Sequence, residues 1–85
     1  MRGGRPITME TKLRLSPLQC KILWVLEEAG EETVGTVLAT LRIADDWPFR
    51  HELEALFRRG FVRQAEDRGR PALILTRSGR DALTR

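Results

Sequence analysis

The sequence predicts one α+β domain, mainly helical, and three observations carry that expectation. The first is helix punctuation: Ser16-Pro17-Leu18-Gln19 joins a capping hydroxyl to a proline at the first helical position, and Gly30 stops the run that follows. The second is apolar spacing. Val34, Val37, Leu38 and Leu41, and then Phe49, Leu53, Leu56 and Phe57, recur at the intervals of a stripe along one side of a helix. The third is a change of period after Gly60. Phe61 to Gln64 and Ala72 to Leu75 read as short strands on either side of the charged turn Glu66-Asp67-Arg68-Gly69-Arg70. Three helices, a β-hairpin and a short closing helix follow from this.

The composition bounds the class. Eighty-five residues, 41% apolar and 32% charged, suit one small globular unit with a single core. No apolar run approaches the ~18 to 20 residues that span a bilayer, and no signal-peptide h-region follows Met1. One cysteine forms no internal disulfide, and the chain therefore reads as cytoplasmic. The net charge of +3 is unevenly spread. Residues 1–14 hold four basic groups and one acidic, residues 15–60 five and eight, and residues 61–85 six and three. Basic ends around an acidic middle suit contact with phosphate at particular places, not over the whole surface.

Residues 1–14, with Arg2-Gly3-Gly4-Arg5-Pro6 at their start, have little to bury and read as a flexible basic arm. Such an arm could lie in a minor groove, act as a solubilising tail, or simply precede an internal start at Met9. The domain proper is expected over 15–85. In its first helix Leu18, Ile22, Val25, Leu26 and Ala29 form the expected core stripe. Cys20, Leu23 and Trp24 then fall on the other side, an apolar face that either the N-terminal segment or a homodimer partner would cover. Glu27, Glu28, Glu31 and Glu32 make an acidic cluster that repels phosphate. Thr33-Val34 gives a short strand or a cap for the second helix. Asp45 or Asp46 caps the third. That helix carries Arg58 and Arg59 in its last turn and ends at Gly60. A helix of this kind running straight into a hairpin with a basic tip is the output half of a winged helix-turn-helix.

The pattern Leu53-x-x-Leu56-x-x-x-Gly60-Phe61-Val62, then Gly69-Arg70-Pro71, then Leu75-Thr76-x-x-Gly79-x-x-x-Leu83, resembles the winged-helix transcriptional regulators of the PadR and MarR groups. Gly-Arg-Pro followed by Leu-Thr-x-x-Gly is closer to PadR, and Asp67-Arg68 in the turn is similar to MarR. The marks cover residues 49 to 83. The His-Gly-Tyr that PadR proteins usually carry before the second helix is missing. The resemblance implies that the second helix positions the domain across the DNA backbone, that the third enters the major groove, and that the hairpin tip meets the minor groove.

On that frame the candidate DNA contacts are Thr36 and Arg42 to phosphate, and Trp47, Arg50, His51, Glu54 and Arg58 on the outer side of the third helix. Arg63, Arg68 and Arg70 on the wing complete the set. Glu54 can pair with Arg50 and Arg58 at four-residue spacing; alternatively Arg50 and His51 read guanine while Glu54 accepts from cytosine. Trp47 is expected to lie over the core edge as a lid. Two functions are carried forward: a sequence-specific double-stranded-DNA-binding regulator of repressor-like action, and a winged-helix module for protein contact. No nucleophile with a partnered base, phosphate loop or paired buried carboxylates supports catalysis, and no metal or other cofactor is implied.

Overall fold

The computed structural model describes residues 15–84, so the expected basic arm at 1–14 lies outside the described residues. The elements run α1 (Pro17–Ala29), β1 (Glu31–Thr33), α2 (Val34–Leu41), α3 (Trp47–Arg58), β2 (Val62–Asp67), β3 (Arg70–Leu75) and α4 (Arg77–Leu83). Three antiparallel strands form one sheet in the order β1-β3-β2. The domain is mainly helical, as the sequence predicts.

Local chemistry sets most boundaries. Ser16 Oγ accepts from the Gln19 backbone N–H at 3.1 Å, and Gln19 Oε1 accepts from the Ser16 N–H at 3.2 Å, which completes the expected capping box. Thr33 caps α2 by accepting from the Thr36 N–H, and Asp46, not Asp45, caps α3 through the Phe49 N–H. At the end of α3 the chain passes through Gly60 at φ 75°. There the Gly60 N–H reaches the Phe57 carbonyl and the Phe61 N–H the Leu56 carbonyl, each at 3.0 Å. These two bonds satisfy carbonyls the helix leaves open and turn the chain into the wing.

Thr33–Val34, read as a strand or a cap, is both. Glu31 to Thr33 pair with Ile74 to Ala72 before α2 begins. The hairpin is tighter than the sequence suggests. Its strands extend to Asp67 and Arg70, which pair with each other and leave only Arg68 and Gly69 as the turn. Both have positive φ, 55° and 80°, the signature of a turn whose twist matches the flanking strands.

The core gathers Ile22, Leu23 and Leu26 of α1, Val37 of α2, Phe49 and Leu56 of α3, and Phe61, Val62, Leu73 and Leu75 around the wing. Leu23 is a correction to the expected outer face of α1: it is fully buried, while Ala29 of the expected core stripe is exposed. The reason is that α1 packs against α2, α3, α4 and β3, so its covered arc is wider than one stripe. Gln19 is buried too, at 7% exposure. Its amide donates to Glu52 Oε1 on α3 at 2.7 Å and its carbonyl accepts from Arg59 at 3.3 Å, while Ser16 Oγ donates to the same Glu52 oxygen.

Candidate nucleic-acid interface

The helix that would enter a groove is held by its inner residues. Phe49 and Leu56 are buried, Leu53 and Phe57 pack at the core edge, and this fixes which side faces out. Trp47, Arg50, His51, Glu54 and Arg58 are all exposed, so the structure brings the five expected residues together on one face. Trp47 is not a lid. It is 72% exposed, while Phe49, two residues on, takes the inward position at 1%. Instead its ring stacks on His51, with centroids 4.8 Å apart and planes 17° from parallel.

The charges on this face are paired differently from the expected pattern. Arg58 donates to Glu54 at 3.3 Å, as four-residue spacing allows, but Arg50 turns back to Asp45 at 2.8 Å. Freed of the N-cap by Asp46, Asp45 stands just before the helix, within reach of a guanidinium on its first turn. Both pairs are exposed, and such surface bridges are worth about 0–1 kcal/mol, so either arginine can exchange its carboxylate for another acceptor.

Arg63, Arg68 and Arg70 are exposed on the hairpin. Arg68 and Arg70 share a small notch with Asp67 and Thr33. A second cleft, of about 340 Å³, runs from Arg70 and Pro71 to Gly35, Thr36 and Ala39. Thr36 at the start of α2 and the tip end of β3 therefore face one space. Arg42 stands apart from them. It ends α2, six residues beyond Thr36 and hence about 9 Å further along the axis, in the left-handed region at φ 59°.

The sequence reading missed a cleft of about 370 Å³ between α3 and the wing, where Arg50, Glu54 and Asp45 meet Gln64 and Pro71 above Leu53 and Phe57. Half-buried Leu53 and Phe57 fit the apolar stripe of α3, and nothing in the spacing of β3 says that it passes beside them. Of the acidic cluster, Glu27, Glu28 and Glu31 are exposed, with Glu27 accepting from Arg80 at 3.2 Å. Among the described residues no helix is long and apolar enough to cross a membrane, and no group of His, Cys, Asp or Glu is placed to hold a metal ion.

No protein-family model matches the sequence, and no curated protein matches it. Solved structures do. A MarR-family transcriptional regulator from Silicibacter pomeroyi superposes with a TM-score of 0.75 at 23% identity, over 91% of this chain and 53% of that one. A probable transcriptional regulator from Pseudomonas aeruginosa gives 0.74 at 23%, over 82% and 54%. Reduced AbfR bound to DNA gives 0.69 at 19%, over 88% and 63%. The chain thus spans only slightly more than half the length of the structures it matches. What it shares with them is the fold: this domain is a winged helix of the kind found in MarR-family regulators.

Proposed function

We propose that the chain is a sequence-specific, double-stranded-DNA-binding transcriptional regulator of repressor-like action, working in the cytoplasm. The observation that carries this reading is the outer face of α3, five exposed polar and aromatic side chains on a helix fixed from beneath, standing beside a hairpin tipped by Arg68 and Arg70. Trp47, Arg50, His51, Glu54 and Arg58 meet base edges. Thr36, Arg42, Arg63, Arg68 and Arg70 hold the backbone.

A further observation supports the phosphate contacts. Among the described residues the non-glycine positions with positive φ are Arg42 and Arg68. An L-residue is disfavoured there, and Asn or Gly would fit better. Strain of this sort is kept where a side chain has work to do. Titrating random duplex against the full chain in increasing salt tests the reading. With about four to six phosphates engaged, log affinity falls against log salt with a slope of roughly −4 to −5. Replacing Arg68 and Arg70 together with Ala weakens all duplexes about equally and reduces that slope by about two, with the fold intact. A flat salt response would remove DNA binding from consideration.

The protein-contact reading has its own support. Trp24 is 60% exposed and lies in a largely apolar groove with Val25, Ala29 and Leu41, beside Glu28 and Glu32. A homodimer would use this side of α1 through Trp24 and half-buried Cys20, since Leu23 is buried in the core.

A further inference from the structure

The first turn of α3 holds a feature that backbone contacts and hydrogen bonding to bases leave unexplained. Trp47 and Trp24 are the exposed large apolar side chains among the described residues, and Trp47 is the more exposed. An indole left in water gives up most of the apolar burial it could gain in the core. His51, one turn on, stacks against it at 4.8 Å and nearly parallel. One face of the indole is therefore covered and its orientation held, while the other is bare. The result is a flat apolar plate at the N-terminal end of the helix, the end that carries base-contacting residues in helix-turn-helix domains.

The surroundings limit what such a plate can meet. Asp45 and Asp46 lie immediately before it, which disfavours a phosphate at this end. In an intact duplex the faces of the bases are hidden by their neighbours. The apolar group that the major groove does present is the 5-methyl of thymine. We propose that Trp47, positioned by His51, reads a thymine methyl group in the major groove. Cytosine carries hydrogen at that position, so the plate separates thymine from unmethylated cytosine. The inference rests on the DNA-binding reading of α3 and assigns the chemistry of its first turn.

Duplexes selected from a random pool by the full chain at low salt supply the site. Each thymine in that site is then replaced in turn by uracil, which removes one methyl and leaves base pairing unchanged. At one or two positions per copy of α3, uracil weakens binding by about fourfold, the contribution of one buried methyl group. Trp47→Ala, whose lost side chain lies outside the core, binds the thymine and uracil duplexes equally and keeps the parent's salt slope. His51→Ala lowers the thymine-to-uracil ratio, again without changing that slope. Circular dichroism of both variants matches the parent. A site in which every thymine can be exchanged without loss overturns the inference, as does a ratio that survives in Trp47→Ala. Binding to no duplex at all removes the DNA-binding reading as well, whereas tight binding blind to methyl groups removes only this one.

Discussion

Gly79 is fixed by its neighbours. A Cβ there would run into the Phe61 carbonyl oxygen, with Leu75 Cδ1 at 2.7 Å and the Phe61 carbonyl carbon at 3.0 Å. The obstacle is main chain, which cannot swing aside as a side-chain tip can. Gly79→Ala is expected to destabilise by about 1–3 kcal/mol, towards the upper end. In a domain this small that lowers the melting temperature by roughly 4–8 °C for each kcal/mol, and a thermal melt followed by circular dichroism measures it. An unchanged melting temperature would mean that α4 can move off the wing at no cost. Arg68 behaves in the opposite way. At φ 55° it occupies a position that Asn tolerates. Arg68→Asn should raise stability by up to about 1 kcal/mol in urea unfolding. The same change should weaken duplex binding and reduce the salt slope by about one. A variant that gained stability and bound as tightly as the parent would leave the strain at Arg68 unexplained.

At the scale of elements, α1 and α3 are joined by polar groups as well as by the core. Glu52 accepts from both Gln19 and Ser16, so one carboxylate on α3 holds the cap and the first turn of α1. Glu52→Ala leaves the buried Gln19 amide without that partner and should cost about 1–3 kcal/mol; Glu52→Gln, which keeps an acceptor, should cost less. Equal losses for the two in denaturant unfolding would show that the negative charge matters, and the acceptor does not. This link also shows where the sequence was readable. Capping at Ser16 and Thr33 and the turn at Gly60 depend on residues within a few positions of each other, so they were legible. Gln19 was legible as a cap but not as a buried residue, because the partners that make its burial tolerable, Glu52 and Arg59, stand 33 and 40 positions away. Leu23 falls on the wrong side for a related reason: a wheel drawn for one contact face cannot see that three helices and two strands pack against α1. In the candidate interface the residues of α3 were found from their spacing. Their pairing was not, since it turned on which of two aspartates took the cap.

The motif that resembles known regulators gains a physical meaning from the whole domain. Thr76 Oγ1 donates to the Gly60 carbonyl at 2.5 Å and accepts from the Gly79 N–H at 3.1 Å, while the Thr76 N–H reaches the Phe61 carbonyl at 3.1 Å. Gly60-Phe61 and Leu75-Thr76-x-x-Gly79 are thus the two sides of one junction, where the end of α3, the base of the wing and the start of α4 meet. These positions keep the wing at a set angle to α3. Two copies joined through Trp24 would carry two α3 helices, and a two-fold pair should favour a palindromic site with half-sites about one turn, ~34 Å, apart. Sedimentation at tens of micromolar, alone and on such a duplex, measures this; a monomer in both cases would exclude it.

The order of the strands also bears on how the chain avoids its own kind. Ala72 to Leu75 is the most apolar extended stretch of the hairpin, and an apolar strand with an open edge invites pairing with another chain. Here β3 lies in the middle of the sheet, with hydrogen-bonding partners on both sides. The strands left at the rims carry Glu31 and Glu32 on one side and Arg63, Glu66 and Asp67 on the other, and charges at an open edge discourage a further strand from pairing there. Colloidal stability is therefore built into the same hairpin that holds out the arginines, and losing β1 would uncover the segment most prone to aggregate.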